Sequence, residues 1–160
     1  MERIVNDFQL NIATANGTGS QSANLILLHT MFNMGVPVSG KNLFPSNISG
    51  LPTWYILRVS DNGYQAPGDR THIQVVMNKA TWDEDIANCL PGTLIIFNEN
   101  AKMPVERDDC TVIGVPMTKM ARGLNPKLAK MFSNMVYVGI LAEILGLEDE
   151  ALDAALAQQF

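Results

Sequence analysis

The sequence predicts a Rossmann-like α/β fold, a three-layer domain with a mainly parallel sheet. Short apolar or β-branched segments alternate with segments of helical periodicity along the whole chain. No linker, internal repeat or low-complexity tract divides the 160 residues, a length that suits one domain. We therefore expect a single domain over residues 1–160, with its sheet covered by helices on both faces.

The first half of the chain begins with a strand, a turn and a helix. Residues 8–14 (FQLNIAT) are β-rich and lead to Gly17 and Gly19, and residues 22–34 have apolar side chains on one helical face. Next come a short extended segment at 36–38 and a polar loop over 39–50. Residues 53–60 (TWYILRVS) predict a strand, which the long preceding loop would allow to be an antiparallel or edge insertion.

The second half continues the alternation of strands and helices. We expect strands at 73–77, 93–97 and 111–115, a helix at 81–89 capped by Thr81, and two final helices at 126–145 and 148–158. The segment 131–145 is apolar around almost the whole circumference of a helix. Such a helix is buried either centrally or against another chain, and its late position favours an interface.

Composition and charge exclude several classes of function. The net charge is -5 and the pI is about 4.9, without a run of basic residues, so nucleic-acid binding is not expected. The first ten residues do not resemble a secretory signal, and no apolar run is long enough for a membrane span. We expect a cytoplasmic protein in which Cys89 and Cys110, too few for an iron–sulfur cluster, are reduced thiols.

Neither a catalytic constellation nor a metal site is predicted. His29 and His72 have no Cys, Asp or Glu at the spacing of metal ligands, so a structural role is expected for each. The acidic groups at 83–85 and 148–150 suit the first turns of helices.

The candidate binding residues lie at two turns. The first strand runs into Gly17, Thr18, Gly19 and Ser20, where backbone N–H groups at a helix start suit an anion, although the glycines could simply pack a tight turn. A dinucleotide motif is incomplete, because Ser22 replaces the third glycine and no acidic residue follows to bind ribose. NAD is therefore disfavoured. The second group is Ser39, Gly40, Lys41 and Asn42, and we expect both groups to form one anion-binding rim.

Several segments carry a resemblance to a known family. They are residues 12–20 (IATANGTGS) with 22–24, 34–48 (MGVPVSGKNLFPSNI), 50–55 (GLPTWY) and 58–60, and later 77–78, 91–92, 114–116 and 134–139. Together they resemble the gamma domain of 2-oxoacid:ferredoxin (acceptor) oxidoreductases over nearly the whole chain. The similarity is greatest to the gamma domain that is fused ahead of the alpha domain in 2-oxoglutarate-type enzymes.

The resemblance implies a non-redox part of an enzyme that converts a 2-oxoacid and coenzyme A to acyl-CoA and CO2 while reducing ferredoxin. Thiamine diphosphate, Mg²⁺ and iron–sulfur clusters would be bound by alpha and beta partner domains or subunits, and this chain alone would be inactive. Homo-oligomers, or a longer chain continuing into an alpha domain, would fit the same resemblance. The alternatives are a free-standing nucleotide-binding module and a non-catalytic interaction module of the same fold.

Overall fold

A six-stranded sheet forms the middle layer of the domain. The computed structural model describes residues 5–45 and 48–160. Residues 1–4, which belong to the segment tested for a secretory signal, and Ser46 and Asn47 of the motif at 34–48 lie outside the described residues. The strands are β1 (Asp7–Ala15), β2 (Val38–Leu43), β3 (Pro52–Ser60), β4 (Ile73–Val76), β5 (Leu94–Asn98) and β6 (Thr111–Val115). The helices are α1 (Ser20–Asn33), α2 (Trp82–Ala87), α3 (Met117–Leu124), α4 (Ala129–Leu145) and α5 (Asp149–Gln159).

The strand order in the sheet is β2-β3-β1-β4-β5-β6. β1, β4, β5 and β6 are parallel, whereas β3 is antiparallel to both of its neighbours, β1 and β2. The predicted α/β fold class with a mainly parallel sheet is therefore confirmed. The insertion predicted at residues 53–60 is antiparallel but interior, because β2 occupies the edge.

Helices cover the two faces of the sheet unequally. On one face α1 and α4, with α5 packed against α1, enclose the main apolar core, which includes Leu10, Ile12, Ile26, Leu27, Leu57, Val75, Ile96, Tyr137 and Leu141. On the other face a smaller core surrounds Trp82 of α2, whose ring meets the ring of Phe97 edge-on at 5.7 Å. The layer formed by α2 is thin, since that helix has only six residues.

Two elements were not predicted from the sequence. Residues 38–43 form the edge strand β2 rather than the start of a polar loop, because pairing with β3 supplies the order that their composition does not suggest. α3 was also missed, since Pro116 was interpreted only as the end of a strand. Proline is equally suited to a helix start, where its missing N–H is not needed.

The apolar helix α4 is covered largely by its own domain. Its residues Tyr137, Val138 and Leu141 are buried in the main core, and Ile140 packs partly against it. Ile144 remains 43% exposed. The predicted cover by a partner is thus not needed for most of this helix. Over residues 5–45 and 48–160 no single helix is long and apolar enough to cross a membrane, and α3 with α4 would reach that length only as a pair bent by 116°.

Candidate functional site

The glycine turn between β1 and α1 is held by hydrogen bonds of buried and half-buried side chains. Gly17 and Gly19 have φ values of 75° and 81°, in the left-handed region that favours glycine. The Thr14 hydroxyl donates to the Ser20 Oγ at 2.9 Å, and the Thr18 hydroxyl donates to the Ala15 carbonyl at 2.8 Å. The sequence prediction of a tight turn leading into a helix is therefore confirmed, and the turn is fixed before any ligand binds.

On one side of this turn lies a small cavity of about 210 Å³, here called the glycine-turn cavity. Gly17, Gly19, Ser20 and Asn42 line it, so the structure brings together part of both predicted groups. Asn42 reaches it because β2 runs in the same direction as β1, which places its last residues at the same edge of the sheet. No lysine or arginine is among the described lining residues.

The remaining predicted residues of β2 do not join this cavity. Lys41 pairs with Ile56 and lies on the opposite face of the sheet from Asn42, since side chains alternate along a strand. The Ser39 hydroxyl donates to the Gln65 carbonyl at 2.8 Å on that same face. Gly40 packs against the Tyr55 ring, because a methyl group there would lie 2.8 Å from the ring carbon Cζ. The expected rim is therefore formed only in part, and Lys41 does not contribute to it.

A larger cavity lies on the other side of the glycine turn, at the topological switch point of the sheet. β1 leads into α1 on one face and β4 leads into α2 on the other, so the connections diverge between these two strands. The cavity at their carboxyl ends, here called the switch-point cavity, measures about 500 Å³. Its lining residues include Thr14, Thr18, Asn78, Asn98, Thr118, Arg122, Lys127, Lys130, Ser133 and Asn134.

Positive charge and amide groups dominate the switch-point cavity. Arg122, Lys127 and Lys130 are exposed at its rim, and the described lining residues include no Asp or Glu. The floor is ordered: Asn78 donates through Nδ2 to the Thr14 carbonyl at 3.2 Å, and Asn134 donates to the Thr18 carbonyl at 2.8 Å. An ordered polar floor below exposed cationic side chains is the arrangement expected of an anion-binding site.

Sequence reasoning missed these cations because they belong to three different elements and do not form a continuous basic run. Arg122 belongs to the unpredicted helix α3, Lys127 to the turn after it, and Lys130 to the start of α4. Only the return of these elements to the carboxyl ends of β1 and β4 brings them together. A signal was nevertheless present, since basic residues recur between positions 119 and 130 with no acidic residue among them.

His72 and Cys89, which lie outside the switch-point cavity, are held by burial and hydrogen bonds within the fold. His72 accepts a hydrogen bond at Nδ1 from the Gln9 N–H at 3.1 Å, and burial, with nearby Arg70 and Arg58, lowers its pKa. Burial raises the pKa of the Cys89 thiol to about 11. No three His, Cys, Asp or Glu side chains in the described part of the chain are grouped so that they could hold a metal ion.

Solved structures with the same fold include proteins from the following three organisms. A 2-oxoglutarate:ferredoxin oxidoreductase from Magnetococcus marinus, with 2-oxoglutarate, coenzyme A and succinyl-CoA bound, is 21% identical with a TM-score of 0.86, over 98% of this chain and 27% of that one. A pyruvate oxidoreductase subunit from Thermotoga maritima is 16% identical with a TM-score of 0.74, over 98% of this chain and 86% of that one. The gamma subunit of a keto/oxoacid ferredoxin oxidoreductase from Geobacter sulfurreducens is 14% identical with a TM-score of 0.77, over 96% of this chain and 86% of that one.

These similarities establish the fold, and the chain spans about a quarter of the Magnetococcus marinus chain. No curated protein sequence gives a significant match. The sequence model of the pyruvate ferredoxin/flavodoxin oxidoreductase family, however, matches residues 9–160, which is nearly the whole chain. The resemblance seen in the sequence motifs is thereby confirmed, and the chain belongs to the pyruvate ferredoxin/flavodoxin oxidoreductase family.

Proposed function

We propose that this chain is the gamma-type, non-redox part of a thiamine-diphosphate-dependent 2-oxoacid:ferredoxin oxidoreductase. The complete enzyme would convert a 2-oxoacid, with 2-oxoglutarate as our choice, and coenzyme A to acyl-CoA and CO2 while reducing ferredoxin. Family membership supports the reaction class. The choice of 2-oxoglutarate is supported by the motif resemblance and by the fold shared with the Magnetococcus marinus enzyme.

The role that we assign to this domain is to bind an anionic group of coenzyme A. The observation that carries this proposal is the switch-point cavity, where Arg122, Lys127 and Lys130 surround an ordered amide floor. The planar guanidinium of Arg122 suits two oxygens of one phosphate, whereas the lysine ammonium groups add charge without a fixed direction. Such charge-assisted contacts are worth about 1.5–3 kcal/mol each.

We propose that the glycine turn also contacts the ligand. Thr18 forms the wall of the switch-point cavity, while Gly17, Gly19, Ser20 and Asn42 face the glycine-turn cavity. Because the described lining of the latter contains no cation, we assign it to an uncharged polar part of the ligand. The first N–H groups of α1, which have no partner within the helix, are suitable donors there.

Other functions of the enzyme are assigned to other domains. Following the family resemblance, we assign thiamine diphosphate with Mg²⁺ and the iron–sulfur clusters to alpha and beta partner domains or subunits. Ferredoxin would meet the complex there, and we place the assembly in the cytoplasm. Within it this chain would hold coenzyme A while the acyl group is formed elsewhere.

The proposal is tested by steady-state kinetics of the enzyme assembled with its partner subunits. We expect turnover of 2-oxoglutarate in preference to pyruvate. Arg122→Ala should raise the KM for coenzyme A about tenfold or more, from the loss of one charge-assisted contact, with little change in the KM of the 2-oxoacid. Lys41→Ala is the matched control, because this lysine lies on the opposite face of the sheet. An effect of Lys41→Ala alone would reject the switch-point cavity in favour of the rim predicted from the sequence.

A further inference from the structure

A second cationic cavity continues directly from the switch-point cavity. It measures about 580 Å³, is here called the outer cavity, and shares Met77, Asn98, Thr118 and Arg122 with its neighbour. Three further cations, Lys79, Lys102 and Lys119, line it. The two cavities therefore form one continuous groove along the carboxyl ends of β1, β4 and β5, with Arg122 at their junction.

The charge of this groove is opposite to that of the protein as a whole. The chain has a net charge of -5 and 11 lysines and arginines, of which six line the groove. The ion pairs within residues 5–45 and 48–160 are Arg58 with Asp7 and Arg107 with Asp109, so none of the six groove cations is neutralised in this way. Like charges in one groove repel each other, so a bound anion would relieve this repulsion.

The backbone around the outer cavity is held in place before a ligand arrives. Asn98 donates through Nδ2 to the Thr118 hydroxyl at 2.9 Å, and Asn100 accepts through Oδ1 from the Lys119 N–H at 2.9 Å. These bonds tie the start of α3 to the end of β5. On the opposite wall, Asn78 accepts from the Ala80 N–H at 3.0 Å and so fixes the turn that carries Lys79.

Lys102 of the outer cavity is placed by a defined backbone turn. Its φ of 55° lies in the left-handed region, and among the described residues Asn6 is the other non-glycine residue with a positive φ. Lys102 ends the short helical turn of residues Glu99–Ala101, and in this conformation its N–H donates to the Glu99 carbonyl at 3.0 Å. The end of this turn fixes the point at which the Lys102 side chain leaves the backbone, in the lining of the outer cavity.

We infer that the outer cavity recognises a second phosphate of the same ligand, separate from the anionic group in the switch-point cavity. This inference rests on the proposed function, and in coenzyme A the second phosphate is the 3′-phosphate of the ribose. Lys79, Lys102 and Lys119 would then be specificity residues that distinguish coenzyme A from 3′-dephospho-coenzyme A. The diphosphate common to both compounds would remain with Arg122, Lys127 and Lys130.

The test is a calorimetric titration of the complete protein with coenzyme A and with 3′-dephospho-coenzyme A at low salt. The unmodified protein should bind coenzyme A about tenfold more tightly or better, as expected for one charged contact. A Lys102→Ala, Lys119→Ala double variant should lose this preference while keeping its affinity for 3′-dephospho-coenzyme A. Lys41→Ala should keep both affinities, and far-UV circular dichroism of each variant confirms folding.

The possible failures are distinguishable. Equal affinities of the unmodified protein for the two compounds would overturn the inference about the outer cavity and leave the proposed function standing. An equal loss of both affinities in the double variant would also overturn it, since the lysines would then act on the common part of the ligand. Absence of binding by either compound, in a correctly folded protein, would overturn both proposals.

Discussion

Removing one buried hydroxyl should reveal how strongly α1 and α4 are joined. The Tyr137 hydroxyl donates to the Asn24 side-chain oxygen at 2.8 Å, and Tyr137 and Asn24 are 0% and 3% exposed. Tyr137→Phe leaves that oxygen buried without this donor, which costs about 1–3 kcal/mol. At about 3 °C per kcal/mol for a chain of this length, Tm should fall by roughly 3–9 °C.

The measurement is urea unfolding followed by circular dichroism, with Tyr64→Phe as the matched control. Tyr64 is 67% exposed, so loss of its hydroxyl should change the free energy of unfolding by less than about 0.5 kcal/mol. Asn24→Ala completes a double-mutant cycle, and a coupling energy of about 0.5 kcal/mol or more is expected for the pair. If Tyr137→Phe is no more destabilising than Tyr64→Phe, the hydrogen bond does not join the helices and the reasoning fails.

Two further substitutions test the edge strand and the thin layer of the sheet. Gly40→Ala should destabilise by about 1–3 kcal/mol in urea unfolding because it crowds a buried tyrosine ring, whereas Gly68→Ala, with no atom within 4 Å of an added methyl group, should be nearly neutral. Asp85 accepts hydrogen bonds from Trp54 and Thr81, and burial raises its pKa above the ordinary 3.8. Because protonation therefore favours the folded state, its contribution is greatest below pH 3.8 and is lost as pH rises through the raised pKa. As pH rises above 3.8, the Asp85→Asn variant should lose less stability than the parent protein, and an identical pH profile of the two urea midpoints would contradict this.

The sequence predicted most of the fold because its strongest signals are local. The β1–turn–α1 unit combines a β-rich segment, two glycines and a helical period, and the structure has each part in its place. β2 lacks such a signal. Its residues Ser39, Gly40, Lys41 and Asn42 become a strand only through pairing with β3, and pairing over a distance cannot be seen in the composition of the segment.

The candidate site was less predictable for the same physical reason. The glycine turn was recognised because its conformation requires particular residues in sequence. Four of the six groove cations lie between positions 119 and 130, but Lys79 and Lys102 come from distant turns, and no local pattern joins them to the other four. Two of them, Lys119 and Arg122, lie on α3, whose existence was itself missed. Electrostatic sites built from separate loops depend on strand order, and strand order was the least determined part of the prediction.

The packing of the last helix on the first has a consequence for synthesis on the ribosome. α5 lies against α1, with the Asn33 amide donating to the Ala151 carbonyl and the Gln159 amide to the Ser22 hydroxyl. Translation adds about 5–20 residues each second. More than a hundred residues must be synthesised after α1 before α5 can pack on its apolar face. The nascent chain therefore exposes this apolar surface to solvent for several seconds or more. Chaperones that bind emerging hydrophobic segments should engage this protein early and release it only when α5 has left the exit tunnel.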